Sequence, residues 1–122
     1  RPAELARHRT IAYSYWTAHD EWAFSGPEGA ASVRIQPFMH ANNGDTCRLA
    51  ALAHQGVILQ PDFLVGPDLQ RGDLVEVMPD YRAVEIGIHA VYPSRKQLPV
   101  KTRKLVDFLV AAFKKPPWQQ AA

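Results

Sequence analysis

The apolar positions of this chain change period several times, and each change marks an element. From Arg9 to Tyr15 they fall two apart, at Ile11, Tyr13 and Tyr15, and β-branched and aromatic residues at that spacing predict a strand. Trp16 to Asp20 reads as a loop. Glu21 to Phe24 predicts a short strand, and Ser25-Gly26-Pro27-Glu28-Gly29 predicts a turn, with Gly and Pro in turn-favouring places. Val33 and Ile35 then alternate with Arg34 and Gln36 in a further strand. Pro37 has no N–H to donate, which confines its segment to an edge, a bulge or a break before Phe38.

The stretch from Met39 to Phe63 predicts a strand-helix-strand crossover. An alternating strand runs into Asn42-Asn43-Gly44-Asp45, an Ala/Leu-rich helix follows, and Val57-Ile58-Leu59 feeds into Pro61. Asn43 is a good N-cap, and Asp45 puts a carboxylate in the first turn, where the helix dipole favours it. Gly56 suits the left-handed C′ position that ends such a helix. Leu49, Leu52 and Ala53 lie on one face and are expected to pack against the sheet.

Downstream, Pro61 to Leu69 predicts a short helix or helical turn interrupted near Gly66-Pro67, and Gln70-Arg71-Gly72-Asp73 a turn. Leu74 to Val77 predicts a strand, Met78 to Arg82 a loop, and Ile86 to Tyr92 another strand with Ile86, Ile88, Ala90 and Tyr92 on one side. Pro99 belongs near the first turn of a final helix, where a missing N–H does no harm. Leu105, Phe108, Leu109, Ala112 and Phe113 recur at helical spacing and predict its core-facing side. Pro116-Pro117 stops the helix, and Trp118 to Ala122 is expected to be a loosely ordered tail. Strands joined through helices place the chain in the α/β class.

A length of 122 residues with 47% hydrophobic content is one domain's worth with enough apolar material for a core. No apolar run approaches the ~20 residues that span a bilayer, and Arg1 to Arg9 lacks the apolar stretch of a signal peptide. A soluble, cytoplasmic protein is the expectation. The single cysteine, Cys47, excludes an internal disulfide or a multi-cysteine zinc site and reads as a small buried residue of the helix. The net charge of +2 is unevenly spread. Residues 95 to 122 set seven basic side chains against Asp107 alone, a net of +6, while the first 94 carry seven basic and eleven acidic, a net of −4. A basic tail on an acidic body invites a nucleic-acid reading, but the period of the final helix assigns these cations to its solvated face.

Candidate chemistry is sparse. His8, His19, His40, His54 and His89 include no pair at the i, i+4 spacing of a zinc protease, so no metal and no cofactor is expected. Ser14, His19 and Asp20 supply the residue types of a hydrolytic triad without a nucleophile elbow or an oxyanion hole. There is no glycine-rich phosphate loop. Asn42-Asn43-Gly44-Asp45 does bring free backbone N–H groups to a helix start, where small ligands sit in α/β folds. Ordinary capping accounts for the same residues, and the Asp45 carboxylate competes for the same amides.

Taken together, Asn-Asn before a helix, two Ala-rich turns, a Gly, a short apolar strand and Pro61-Asp62-Phe63 resemble the effector-binding domain of LysR-type transcriptional regulators. Flanking segments agree, among them Tyr13-Ser14-Tyr15, Asp20-Glu21-Trp22, Phe24-Ser25-Gly26, Gly72-Asp73-Leu74-Val75, Val91-Tyr92-Pro93-Ser94-Arg95 and Val106-Asp107-Phe108-Leu109. The resemblance covers roughly residues 5 to 113. It implies one lobe of a two-lobe effector domain like the type II periplasmic-binding proteins, with a mixed sheet flanked by helices. Residues 1–98 would form the second lobe, and 99–122 the C-terminal helix returning to the first lobe. The chain would then be a fragment that begins mid-domain.

Carried over position by position, the resemblance implies that an effector meets Tyr13, Ser14, Tyr15, Trp16 and Thr17 after the first strand, Asn42 and Asn43 at the helix start, and Pro61 and Phe63 at the later strand end. It implies a non-enzymatic, homo-oligomeric sensor of a small molecule, and the hydroxyls, amides and aromatic walls of these residues suit a small aromatic or hydroxylated organic acid or a neutral metabolite. DNA would be contacted only through an N-terminal helix-turn-helix outside this chain, and no membrane would be involved. A lobe of a solute-binding transport protein of related fold is the alternative reading, and a small hydrolase using Ser14 and a histidine a more distant one.

Overall fold

The computed structural model describes residues 1–16, 18–94, 96 and 98–119. They form two compact units, Arg1–Glu85 and Ile86–Ala122.

The first unit is built on a three-stranded parallel sheet in the order β4-β1-β5, with β1 at Thr10–Tyr13, β4 at Pro37–Ala41 and β5 at Val57–Ile58. A central parallel strand is covered on both faces. Accordingly Thr10, Ile11 and Ala12 are all buried, in place of the alternation expected for this segment. Pro37 opens edge strand β4, and the register slips between Thr10 and Ile11 opposite it, two of the outcomes its missing N–H allows. Between β1 and β4 the chain makes an antiparallel hairpin, β2 (Glu21–Gly26) and β3 (Gly29–Arg34), turned at Pro27-Glu28. Here the alternation holds. Trp22, Phe24 and Val33 point inward and join Leu5, Ala12 and Ile35 in the core, while Glu21, Ala23, Ser25, Ser32 and Arg34 face outward.

The predicted crossover is present as β4, α1 (Gly44–Leu52) and β5. Asn43 is the N-cap, its side chain accepting the Asp45 N–H at 2.8 Å. Two details differ from expectation. Of the expected inward stripe of α1, Leu49 and Ala53 are exposed and Leu52 is half-buried. Leu49 is 58% exposed, and the fully buried residue is Cys47, flanked at helical spacing by half-buried Gly44, Ala50 and Ala51. Small side chains let the helix approach β1 so closely that the Cys47 S–H donates to the Ala12 carbonyl at 3.9 Å, and burial pushes the thiol pKa up.

The end of α1 differs as well. His54, at φ 60°, takes the left-handed position. Its N–H reaches the Ala51 carbonyl and the Gln55 N–H that of Ala50, the paired bonds of a Schellman cap. Gly56 is required for another reason. It passes against β1, where an added Cβ would lie 2.5 Å from the Arg9 carbonyl oxygen.

Helix α2 (Asp62–Arg71) runs without interruption through Pro67. Pro67 removes one amide from the helix, but the next residue, Asp68, is tied to α1 by Arg48, and Gly72 at φ 79° caps the end. Residues 74–77 and 86–92, both expected to be strands, are not strands. A strand exists only where its N–H and C=O groups meet a partner, and beyond Gly72 the pairing among the described residues is one bridge between Ser25 and Arg82.

In the second unit α3 spans Val100–Ala112 behind Pro99, close to the predicted limits. None of its residues is buried. Leu105 is 57% and Phe108 67% exposed, so the side of α3 expected to face a core does not form one within this unit among the described residues. Past the helix, Pro117–Gln119 forms a 3-10 turn and the Trp118 ring lies 5.6 Å from that of Phe113. The remainder of the expected loose tail lies outside the described residues. No helix among those described is long and apolar enough to cross a membrane.

Candidate functional site

Because β4, β1 and β5 are parallel, their C-terminal ends at Ala41, Tyr13 and Ile58 share one end of the sheet. The segments that follow them all emerge there, the place where open α/β sheets take ligands. These segments contain the residues singled out from sequence.

After β1, the Ser14 N–H donates to the Ala41 carbonyl at 2.8 Å and extends the pairing with β4 by one residue. The Trp16 N–H then turns back to the Tyr13 carbonyl at 3.2 Å. This tight turn gathers three aromatic rings. Tyr13 meets Tyr15 edge-on at 5.7 Å and Trp16 edge-on at 6.2 Å, separations typical of favourable aromatic pairs. Tyr15 and Ser14 are exposed, Tyr13 and Trp16 half-buried. Thr17 lies outside the described residues.

After β4, Asn42 and Asn43 are exposed, and the Asn43 side-chain oxygen is committed to its cap. After β5, Pro61 is the N-cap of α2, its carbonyl accepting the Leu64 N–H at 3.0 Å. Phe63 in the first turn is half-exposed. Gly44 brings the two helix starts together. A Cβ there would lie 2.8 Å from Gln60 Oε1 and 2.9 Å from Leu64 Cδ2, so the absence of a side chain lets the α1 start press onto the α2 segment.

Two features escaped the sequence reading. Gln60, between β5 and Pro61, packs beside the α1 start, and its amide nitrogen is buried without a hydrogen-bond partner among the described residues, as is Trp16 Nε1. The one sequence signal was a polar residue breaking the apolar run into Pro61. The second is an ion-pair network beneath the site. Arg48 on α1 grips the fully buried Asp68 on α2 in a bidentate pair, with Nε at 2.5 Å and Nη2 at 2.8 Å. Arg71 adds a third bond at 2.5 Å and itself reaches Asp73 at 2.8 Å. The Arg48 hydrogen bond holds the Asp68 carboxyl below its ordinary range against the opposing effect of burial, and the same bond raises Arg48. Arg48 Nη1 lies 3.5 Å from Asp45 in the first turn of α1.

His40 Nε2 pairs with Asp20 at 2.8 Å, and Ala18, His19, Asp20, Glu21 and Arg34 line a cavity of about 240 Å³. What the strand ends offer is aromatic surface, the Ser14 hydroxyl, the side-chain amides of Asn42 and Gln60, and one exposed carboxylate that already has a cation beside it. Such a set is suited to holding a small organic molecule by shape and hydrogen bonds.

The chain is 31% identical over 121 residues to the HTH-type transcriptional regulator PtxR of Pseudomonas aeruginosa, an alignment that takes in 99% of this chain and 39% of PtxR. Among solved structures it is similar to CrgA, a LysR-type transcriptional regulator from Neisseria meningitidis, at 29% identity and a TM-score of 0.68, covering 88% of this chain and 37% of CrgA. The regulatory domain of AphB from Vibrio vulnificus, at 21% identity, shares the fold with a TM-score of 0.71 over 91% of this chain and 55% of that domain. The chain therefore spans about two fifths of the length of PtxR. Neither the transport nor the hydrolase reading is favoured by relatives that are transcriptional regulators. With the LysR substrate binding domain matched over residues 1–114, the chain belongs to that family.

Proposed function

We propose that this chain is the effector-sensing and dimerising portion of a LysR-type regulator, and that it works by binding and without catalysis. The reading rests most heavily on one observation: three chain segments distant in sequence, 13–16, 42–45 and 60–63, meet at the C-terminal end of one parallel sheet. In this reading Tyr13, Tyr15, Trp16 and Phe63 supply the walls of the effector site and Ser14, Thr17, Asn42 and Asn43 its polar contacts, with Pro61 setting the start of α2. The effector is a small aromatic or hydroxylated organic acid. A nucleotide would need a phosphate cradle that the Asn42–Asp45 segment lacks. DNA is contacted by a helix-turn-helix elsewhere in the full-length protein, which acts in the cytoplasm. The exposed Leu105, Phe108 and Val110 of α3 fit a chain whose apolar surface is covered by further protein, either another lobe or another subunit.

The test is made in the full-length regulator. Ser14→Ala and Asn42→Ala each weaken the effector response while affinity for operator DNA stays near wild type. Wild-type effector affinity in both variants by calorimetry places the site elsewhere.

A further inference from the structure

Among the described residues, the buried side-chain polar atoms without a hydrogen-bond partner fall into two groups. Thr10 Oγ1 and Trp22 Nε1 lie in the interior of the first unit, whereas Trp16 Nε1 and Gln60 Nε2 belong to segments at the C-terminal end of the parallel sheet. Folded chains pair nearly all such groups, because an orphan gives up its bonds to water and gains none in return. Trp16 has a packing role through its ring, which meets Tyr13 edge-on at 6.2 Å. Nothing comparable accounts for Gln60. It follows the apolar run Val57-Ile58-Leu59 and precedes Pro61, a place where leucine or methionine would leave no donor unpaired.

The Gln60 amide lies against the start of α1. A Cβ on Gly44 would come 2.8 Å from Gln60 Oε1 and 3.7 Å from its Cδ, so the missing side chain of Gly44 makes the room that the amide occupies. Gly44 directly follows Asn42 and Asn43, which puts the amide beside the segment that carries them. Gln60 as a whole is half-buried, while its nitrogen is covered. The terminal torsion of a glutamine is broad and two-fold. A turn about that one bond exchanges nitrogen and oxygen without moving the backbone, and brings the N–H to the side over Gly44.

We propose that Gln60 is a ligand donor of the effector site: its side-chain amide donates to a carboxylate oxygen of the bound acid. The inference rests on the effector site proposed above. A donor left unpaired by the fold and paired by the ligand explains a polar residue at an apolar position, since sequences break local rules where function requires it. Hydrogen bonds to charged acceptors are the stronger kind, and loss of one lowers affinity by about ten- to hundredfold.

The experiment pairs binding with stability in the full-length protein, using benzoate, salicylate and phenylacetate as calorimetric probes. Gln60→Met keeps the length of the side chain and removes the amide. It is expected to lower the affinity of the probes that bind wild type by about ten- to hundredfold and, because the orphan is gone, to raise the melting temperature. Gln60→Glu keeps the shape and replaces the donor with a second acceptor, and lowers acid affinity at least as far.

Opposite signs in Gln60→Met, tighter folding with weaker binding, are what a residue that merely fills space does not produce. Wild-type probe affinity in either variant overturns the inference, as does a Gln60→Met protein that loses melting temperature and affinity together. If Asn42→Ala weakens a probe that Gln60→Met binds like wild type, the effector site stands and the donor role of Gln60 falls. If none of the three probes binds wild type, the acid reading of the site falls and the inference with it.

Discussion

Gly56 offers the sharpest perturbation of the fold that carries the site. An ideal Cβ at this position lies 2.5 Å from the Arg9 carbonyl oxygen, about 0.9 Å inside the 3.4 Å at which ordinary contact begins. That oxygen is a backbone atom of the chain entering β1, and it accepts the Val57 N–H at 2.9 Å. Moving β5 away by the required distance breaks this bond, and β5 is joined to β1 through only Val57 and Ile58. Overpacking costs about 1–3 kcal/mol and a lost backbone bond about 0.5–1.5 kcal/mol. Gly56→Ala is therefore expected to destabilise by about 1.5–4.5 kcal/mol, read as a lower urea midpoint at unchanged slope. Gly56→Asn separates two explanations. If Gly56 were a left-handed helix cap, asparagine would be tolerated. If close approach is the reason, asparagine is at least as harmful as alanine. A Gly56→Asn variant within about 0.5 kcal/mol of wild type refutes the packing argument. The partner prediction is that His54→Gly, at the residue that does hold φ 60°, stabilises by about 0.5–1 kcal/mol.

Asn43→Ala removes the observed cap and is expected to cost about 1 kcal/mol in denaturant unfolding, whereas Asn43→Asp keeps most of it. Trp22→Ala empties the hairpin side of the core, where the indole is 3% exposed, and is expected to cost about 3–5 kcal/mol. Asp68 ties stability to pH. Its carboxyl is held below the ordinary range in the folded state, so the stabilisation is complete above the unfolded carboxylate value and is lost as pH falls through the folded one; Asp68→Asn flattens that acid limb in thermal melts. This chain alone is expected to show no sequence-selective DNA binding, and any association through its basic C-terminal residues disappears in gel shifts by ~200 mM salt.

How legible these features were depended on how local their causes are. The Asn43 cap, the Asn42–Asp45 helix start, the β2–β3 hairpin and the limits of α3 follow from residues within a few positions of each other, and the structure has them all. The inner stripe of α1 was misread because hydrophobicity favours Leu49, whereas close approach to β1 selects Cys47 and its small neighbours. His54 and Gly56 were exchanged for the same kind of reason: the left-handed residue was decided by where the helix ran out, and the glycine by a carbonyl 47 residues upstream.

The alternating segments near residues 75 and 88 have strand-like sequences, but a strand also needs an edge to pair with, which no local pattern supplies. At the candidate site, the segments themselves were readable from the family resemblance. The Gln60 contact and the Arg48–Asp68 pair were not, since each depends on α1 and α2 meeting across 16 to 20 residues of sequence.

The central claim is that the effector lies at the C-terminal ends of β1, β4 and β5. A crystal structure of the full-length protein with its effector tests it most directly. The account predicts ligand density in contact with Tyr13–Trp16, with Asn42 and Asn43, and with the Gln60–Phe63 segment. Density that touches none of these three segments contradicts it.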